Sequence, residues 1–459
     1  MSSQRSLQTR SPRFVYDLSV NERISKIIKV SRVIYLPGLA TSLVLYSYAS
    51  LVDHAQFTVL TPLKVLWLLG LILLASTLVS TLYNLEDWVR VEKDPRREKS
   101  KVIFQITTKG TNVDAVRRGV DSVLAWAGKH LEDFEVWVVT DEGADLDSLA
   151  SEKVRVIYTP KDYRTRNRTK YKARALNYAC ELRKGLGLNR SDVWVYFMDE
   201  ESVVGEDTVL GIKDFIAKKK AEIGHGLIVY PNFWGKNLLV SLADSMRPSQ
   251  DLFYSALETK LGKVSWLHGS HLLMRADVES KICWDFGVTW GEDSEFGLRA
   301  SEMGFRIGWL GGVLYEQSPF SITDYYKQRR RWFFHSYNMV FRRLPAWAKA
   351  TYLVSVIGWL SGLPSFAVSV LNLVFPSSNP FPFFGFVSVA MLYNLVFWYA
   401  VGFALNVEPL NLKVKEKVKL AALAAVLFPA YTFLESLAPW YALISYRNRE
   451  KVGFEVVKK

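Results

Sequence analysis

Long apolar runs lie near both ends of the chain and enclose a central segment in which short apolar stretches alternate with polar ones. Two runs, residues 33–52 and 60–83, precede that segment, and three more, residues 350–375, 383–406 and 419–445, follow it. A helix rises about 1.5 Å per residue, so about 20 apolar residues cross the roughly 30 Å hydrocarbon core of a bilayer. The pattern therefore predicts membrane helices on both sides of a soluble domain.

Basic residues predict the orientation of these helices. Lys and Arg crowd the N-terminal segment 1–32, and four lysines lie within residues 413–419. Positive charge collects on the cytoplasmic side of membrane proteins. Two crossings within 33–83 and two within 350–406 would then place residues 85–345 in the cytoplasm.

The last apolar run, residues 419–445, is harder to place. A full crossing there would export the basic tail at 446–459, and Pro429, Glu435 and Pro439 interrupt the run. We therefore expect four crossings followed by a re-entrant or interfacial segment, with a fifth transmembrane crossing as the alternative.

The central segment alternates strand and helix patterns. Such alternation predicts an α/β fold with a mostly parallel, Rossmann-like sheet covered by helices. In sheets of this kind, ligands bind beyond the carboxyl ends of the strands. The predicted strands are 102–108, 134–140, 154–158 and 193–198, and the predicted helices are 113–130 and 171–183.

Acidic residues follow two of these strands. Asp141 follows the second strand, and Asp199, Glu200 and Glu201 follow the strand at 193–198. A solvated loop or a helix cap is the alternative interpretation in both places. Three acids directly after a buried strand repel one another unless a cation is present, and carboxylates suit Mg²⁺ or Mn²⁺. The segment predicts a divalent metal that would neutralise a nucleotide leaving group.

A basic segment leads into the predicted helix at 171–183. Residues 164–172 contain five Arg or Lys residues, the last of which is Lys172. The N-terminus of a helix favours anions, and Lys172 would add a point charge there. A diphosphate would bind well at this position, although a solvated, charged loop is the alternative.

A carboxylate pair and a basic, aromatic strip follow near the C-terminal membrane runs. The pair is Glu292 and Asp293, and the strip is Gln328–Trp332. A carboxylate can act as general base, arginines can offset phosphate charge, and an indole can cover a sugar ring. The strip could also anchor the domain at the headgroups, where basic and aromatic residues collect. The combination indicates sugar chemistry at a membrane surface.

These motifs, in this order, resemble those of the membrane-integrated family 2 inverting glycosyltransferases with a GT-A fold. The resemblance covers roughly residues 100–335 and rests on Asp141, 172–177, 199–201, 292–293 and 328–332. Within that family, the stretches 197–201, 242–247 and 315–320 are most similar to the Egghead-type β-1,4-mannosyltransferases. Enzymes of that type transfer mannose from GDP-mannose to a glycolipid.

The resemblance implies roles for nine positions. Asp293 would be the general base that takes the proton of the acceptor hydroxyl, as displacement with inversion at an anomeric carbon requires. The donor would contact Asp141, Lys172 and Asp199, and the divalent cation would bind Asp199 and Glu201. The positions bordering the acceptor and the diphosphate would be Glu292, Gln328, Arg331 and Trp332.

The chain also departs from the family pattern. The usual Asp-x-Asp metal motif ends here in Glu201, and the first strand ends in Thr107-Thr-Lys109 without the residues that many relatives use to contact the nucleotide. His268 and His271 lie near the predicted acceptor site, where a structural role is favoured over contact with the acceptor.

The distribution of charge and the two cysteines argue against a nucleic-acid-binding protein and against a cysteine metal site. The formal charge of +13 lies largely beside the predicted membrane segments, where basic residues meet anionic lipid. No nucleic-acid-binding motif accompanies it, so nucleic acid is not an expected partner. The two cysteines, Cys180 and Cys283, have no metal spacing and are expected to be buried and unpaired.

The sequence thus predicts an integral membrane enzyme whose cytoplasmic domain uses GDP-mannose and Mg²⁺ or Mn²⁺ to add β-linked mannose to a lipid or glycolipid acceptor. Residues 333–341 predict an interfacial helix that holds the site at the bilayer. A processive polysaccharide synthase that uses a UDP-sugar is the alternative, although a polymer channel needs a larger helix bundle. A transporter or scaffold is less favoured. Transporters place charged residues within their spans, whereas the apolar runs of this chain are nearly free of them.

Overall fold

A computed structural model describes residues 16–50, 56–96, 99–231, 237–287, 289–445 and 457. The first fifteen positions and the basic tail after residue 445, Val457 excepted, lie outside the described residues, and so do the predictions that rest on them. Within the described ranges the chain forms an eight-stranded sheet domain joined to long apolar helices.

The sheet is mostly parallel. Its strand order is β3-β2-β1-β4-β7-β6-β8-β5, and only β5 and β7 run against the other six. The predicted α/β class is confirmed, and the four predicted strands are present to within one residue at either end. The strands are β1 Lys101–Thr107, β2 Asp133–Asp141, β3 Val154–Thr159, β4 Val193–Asp199, β5 Val203–Val204, β6 Ile223–Val229, β7 Leu272–Arg275 and β8 Ile307–Tyr315.

Helices cover both faces of the sheet. The main domain helices are α4 Leu85–Val89, α5 Val113–His130, α6 Tyr171–Gly185, α7 Glu206–Lys218, α8 Leu238–Ala243, α9 Met246–Gln250, α10 Ala256–Lys260, α11 Ala276–Ile282, α12 Glu292–Glu302 and α13 Ile322–Phe341. One buried apolar cluster joins the sheet to α5 and α7, and a second joins it to α6, α11 and α12. Burying one large apolar side chain contributes about 1.5–3 kcal/mol, so these clusters stabilise the frame that holds the site.

The strand register brings the ends of three strands together. Thr107 at the end of β1 pairs with Asp199 at the end of β4 and with Val139 of β2, two residues before Asp141. The two acidic segments therefore lie at the same edge of the sheet, as expected for a parallel arrangement.

Five helical stretches are long and apolar enough to cross a membrane. They are α1 Leu18–Ser50, the segment Leu60–Ser80, α14 Ala346–Val374, α15 Phe384–Val407 with the turn to Leu410, and α16 Val414–Ser445. The second comprises α2 Leu60–Leu63, a 3-10 turn Lys64–Gly70 and α3 Leu71–Ser80. Apolar helices thus flank the domain on both sides. Their orientation relative to the cytoplasm stays a prediction.

Two of these helices differ from the expected segments. Residues 419–445 lie within one continuous helix, α16, which begins earlier, at Val414, and is long and apolar enough for the fifth crossing given as the alternative; the number of crossings stays a prediction. Helix α1 begins at Leu18, before the predicted start at 33, because Val20, Ile24 and Ile28 pack on the domain between the charged residues of its first turns. A helix start in which apolar and charged residues are interspersed is missed when the sequence is searched for uninterrupted apolar runs.

The cysteines also differ from expectation. Cys180 of α6 and Cys283, just after α11, form a disulfide with Cα atoms 6.3 Å apart. The prediction of unpaired cysteines was wrong because 103 positions separate them in sequence, whereas α6 and α11 pack side by side on one face of the sheet.

Candidate active site

One cavity of about 1400 Å³ collects the predicted site residues. It opens at the carboxyl ends of the parallel strands and continues between the C-terminal apolar helices. All nine predicted positions line it: Asp141, Lys172, Asp199, Glu201, Glu292, Asp293, Gln328, Arg331 and Trp332. Segments nearly 200 positions apart in sequence therefore share a single site.

Lys172 connects the two halves of this site. It lies in the first turn of α6, and its Nζ forms an ion pair with Oδ1 of Asp199 and donates to the Gly269 carbonyl at 3.4 Å. Burial alone would lower the pKa of Lys172, but the charges of Asp199, Glu292 and Asp293 outweigh burial and raise the pKa above its usual value. Lys172 therefore stays protonated beside three carboxylates.

Asp141 is held by a residue that the sequence did not single out. Nη1 of Arg174 donates to Oδ1 of Asp141 at 2.8 Å, and Nε of the same guanidinium donates to the Tyr163 carbonyl at 3.3 Å. Arg174 lies two residues after Lys172, and both are in the first turn of α6. This helix therefore supplies both cations near the strand ends. The contact restrains the Asp141 carboxylate, which lines the cavity.

The acids after β4 offer oxygen ligands at the cavity wall. Glu200 accepts a hydrogen bond from Oγ1 of Thr108, and Glu201 is buried with 7% of its surface exposed. Among the described residues, no group of three or more His, Cys, Asp or Glu is arranged to hold a metal ion. Mg²⁺ sites often use only one or two carboxylates together with substrate phosphates. Asp199 and Glu201 fit that kind of site.

Asp293 lies at the start of α12, where the helix dipole favours acids. Its Oδ1 accepts a hydrogen bond from the Ser294 N–H at 2.8 Å. Burial and the neighbouring Glu292 raise the pKa of Asp293 to about 6, and Lys172 partly opposes that rise. Such a pKa suits a general base that works near neutral pH.

Gly269 separates Lys172 from Asp293. A Cβ atom at this position would lie 2.9 Å from Oδ2 of Asp293 and 3.2 Å from Nζ of Lys172. The backbone can pass between the two charged groups only because the residue has no side chain.

The strip on α13 is largely buried. Gln328 is 1% exposed and accepts a hydrogen bond from Nη1 of Arg329 at 2.8 Å. Arg329 also forms ion pairs with Asp244 at 2.6 Å and with Glu435 of α16 at 3.0 Å. These ion pairs join α13 to the end of α8 and to α16, so the strip stabilises helix packing as well as lining the cavity.

Trp332 lines the cavity and also contacts two arginines. Two guanidinium groups, those of Arg247 and Arg329, lie over its indole, each 4.5 Å from the ring centroid. Cations stack well on indole faces. The indole therefore holds arginines in place.

The two histidines take different positions. His271 is fully buried and bonds the Tyr196 hydroxyl at 2.8 Å, in keeping with the structural role favoured for it. His268 lines the cavity and contacts Oδ1 of Asp251 at 2.7 Å. Burial lowers the pKa of His268, but Asp251 outweighs burial and the net pKa is raised.

Sequence reasoning missed Arg174, Arg247 and Asp251. The first two are cations that approach the site from helices, and Asp251 lies in a π-helical turn that no local pattern indicates. For Arg247 the signal was present only as a part of the stretch 242–247, to which no role was attached.

Part of the chain is similar in sequence to known glycosyltransferases. Residues 194–404 match the family described as Glycosyl transferase family group 2. The chain is 33% identical over 288 residues to the β-1,4-mannosyltransferase egh of Drosophila melanogaster, a match that covers 61% of each chain. It is 29% identical over 320 residues to the β-1,4-mannosyltransferase bre-3 of Caenorhabditis briggsae, covering 66% of this chain and 68% of the relative.

A solved structure is also similar. The mannosyltransferase PcManGT from Pyrobaculum calidifontis, in complex with GDP-Man and Mn²⁺, aligns with a TM-score of 0.47 and 15% identity over 84% of this chain and 100% of that one.

Proposed function

We propose that the chain transfers mannose from GDP-mannose to a lipid-linked acceptor with inversion at the anomeric carbon, and the match of residues 194–404 to Glycosyl transferase family group 2 supports a glycosyl transfer. The relatives at 28–33% identity are β-1,4-mannosyltransferases, which supports mannose as the sugar and a β-linkage. The observation that carries the proposal is the meeting of Asp293 with Lys172 and Asp199 in one cavity.

Asp293 would act on the acceptor side. Its carboxylate takes the proton of the attacking hydroxyl while the bond from the anomeric carbon to the phosphate oxygen breaks. A base whose pKa lies near 6 is deprotonated at neutral pH and still basic enough to accept that proton. The single carboxylate and direct displacement together give an inverted product.

The donor would occupy the strand ends on the other side of Lys172. Asp141 and Asp199 would contact the nucleoside and ribose, and Lys172 would face the phosphates. Asp199 and Glu201 would hold a divalent cation, which neutralises charge on the departing diphosphate when it is bound. Arg331 and Gln328 border the same space.

A lipid acceptor is supported by the surroundings of the site. Helix α13, which carries Gln328 and Trp332, packs on α14 and α16, two of the candidate membrane spans. The cavity of Asp293 continues between those helices. An acceptor anchored in the bilayer would thus reach the base without leaving the membrane.

The test uses purified full-length protein, extracted membrane lipid and radiolabelled GDP-mannose, with UDP-glucose and UDP-N-acetylglucosamine in parallel. We expect label in the lipid phase only with GDP-mannose. Transfer from a UDP-sugar and none from GDP-mannose would reject the donor assignment. An Asp293→Asn protein supplies the background.

One observation favours the processive alternative. A face of α14 that borders the cavity is small and polar, with Ser355, Gly358, Gly362, Ser365 and Ser369. Polar walls within membrane helices are typical of hydrated passages. Product size separates the two functions, because a single added sugar indicates a transferase and a long chain indicates a synthase.

A further inference from the structure

Arg247 is the feature of the site that the proposed function does not use. It belongs to α9, lines the cavity and is only partly exposed. Its guanidinium lies over the Tyr230 ring at 4.2 Å and the Trp332 ring at 4.5 Å, measured to the centroids. Rings from two different elements therefore hold the charge in one place.

The guanidinium has donors without acceptors. Nη1 of Arg247 is buried and lacks a hydrogen-bond partner, and within the described part of the chain no hydrogen bond or ion pair reaches this side chain. Asp244 is near enough for Arg247 to lower its pKa, but the carboxylate pairs with Arg329 at 2.6 Å. A buried donor without an acceptor is costly, and a ligand in the cavity could supply the acceptor that Nη1 lacks.

The Tyr230 ring under this guanidinium carries a second donor without a partner. The Tyr230 hydroxyl is buried and likewise has no partner among the described residues. Tyr230 does not line the cavity, so the guanidinium of Arg247 is the group that a ligand there would meet. A planar guanidinium suits an oxyanion, and Arg pairs with phosphate through two parallel hydrogen bonds. The chemistry that this corner of the cavity would recognise is a phosphate group.

The position of α9 indicates where that phosphate comes from. Oγ of Ser249 donates to the Trp398 carbonyl of α15 at 2.6 Å, and a Cβ atom at Gly402 would lie 1.6 Å from the Ser245 carbonyl oxygen. Helix α9 thus sits directly on a candidate membrane span. Lys172, which is proposed to face the donor phosphates, instead lies on α6 at the strand ends, as does Arg174.

We propose that Arg247 binds a phosphate group of the lipid acceptor, so that the acceptor class is a phospho-linked lipid. This deepens the proposed function, on which it rests. Phosphate on the lipid would fix the distance from the bilayer at which the accepting hydroxyl meets Asp293.

The test measures binding without donor, in maltoside detergent, which contributes no phosphate. Full-length protein is titrated with polyprenyl phosphate, with the matching polyprenol and, separately, with GDP. We expect the wild-type protein to prefer the phosphate, and Arg247→Met to weaken binding of the phosphate by about tenfold or more while binding of polyprenol and GDP stays unchanged. Arg247→Lys should retain part of the preference, because it keeps the charge but not the paired donors.

Arg299→Met is the matched control. Arg299 also stacks on an aromatic ring, that of Phe286 at 4.6 Å, but it lies outside the cavity, so its loss should leave all three affinities unchanged. Arg247→Gln, which removes the charge but keeps a polar side chain, provides a second variant if Arg247→Met does not fold, and the same loss of preference is expected.

Each possible result supports or overturns the assignment of Arg247 to the lipid phosphate. Equal affinity of the wild-type protein for polyprenyl phosphate and polyprenol overturns the proposal, as does an unchanged preference in folded Arg247→Met. Weakened GDP binding with an intact preference for the lipid phosphate assigns Arg247 to the donor and overturns the lipid source. Absence of mannose transfer in a protein that shows the expected binding contradicts only the proposed function.

Discussion

Lys172 and Asp199 form an ion pair across the mouth of the site, between the first turn of α6 and the end of β4. The same ammonium group acts on Asp293, whose pKa it lowers against burial and Glu292. One cation therefore influences both the donor half and the acceptor half of the site.

Replacement of Lys172 by Met should affect both halves. Without the ammonium, the pKa of Asp293 should rise further, by on the order of one unit, and the acid limb of the pH profile should move to higher pH. Affinity for GDP should fall in the same variant. Profiles of kcat/KM against pH and GDP titrations measure the two effects, and Lys184→Met, at the exposed end of α6, is the control. An unshifted acid limb would contradict this coupling.

Asp293→Asn should abolish the proton transfer with little change in volume. General base catalysis contributes about 10²–10⁴-fold, so the transfer rate should fall by at least about a hundredfold while GDP binding is kept. Glu302→Gln, at the exposed C-terminal end of α12, should retain full activity. A folded Asp293→Asn protein with wild-type turnover would show that another group is the base.

The pKa of Asp293 also predicts the pH dependence of activity. The base works when deprotonated, so kcat/KM should be constant above about pH 6 and fall tenfold per unit below it. The rate of transfer from pH 4.5 to 8 measures this limb. A profile without a break near pH 6 would count against Asp293.

The stability of the folded protein should fall as pH rises, whereas the activity should increase. Since the folded-state pKa of about 6 lies above the usual 3.8, the folded protein binds the proton more tightly, and stability falls as pH rises through that window. The difference is at most roughly 3 kcal/mol. Asp293→Asn should therefore unfold at a higher temperature than the wild type at pH 7, and by a smaller margin at pH 4. Thermal unfolding at both pH values checks the sign.

Gly269→Ala should impair catalysis by displacing the Asp293 carboxylate, without removing any reacting group. The new methyl group would meet Oδ2 of Asp293 at 2.9 Å, so the carboxylate must shift. Misplacement of a reacting group by about 1 Å costs on the order of a hundredfold in rate. Gly128→Ala is the matched control, because a Cβ atom there meets nothing within 4 Å. Equal activity of the two alanine variants would refute the close approach.

Removal of divalent metal should weaken donor binding. Treatment with EDTA is expected to lower GDP affinity and transfer together, with recovery on addition of Mn²⁺. Asp199→Asn and Glu201→Gln should each weaken Mn²⁺ binding, by at least about tenfold. Asp192→Asn, at the opposite end of β4, is the control. If Mn²⁺ binds equally well to all variants, the assignment of these ligands fails.

Local patterns determined much of this protein. The period of apolar residues located β1 to β4 and helices α5 and α6 to within about two residues, because a strand buried on both faces and an amphipathic helix each leave a distinct local signature. The order of acids and bases after those strands likewise indicated which side chains to expect at the sheet edge, where all nine predicted positions lie in one cavity.

Contacts between distant segments could not be derived in that way. The disulfide of Cys180 with Cys283, the ion pairs of Arg329 with Asp244 and Glu435, and the stacking of Arg247 on Tyr230 all join elements far apart in sequence. Which partners meet depends on how helices pack on the sheet, and packing is a property of the whole fold.

The sequence by itself determined the fold class, the apolar helices and the chemical character of the site, since these depend on residue type and spacing. Only the tertiary structure decided that Lys172 faces both Asp199 and Asp293, that two guanidinium groups cover Trp332, and that Arg247 keeps unpaired donors. Charge interactions act over a few ångströms of space, and the folded chain alone sets those distances.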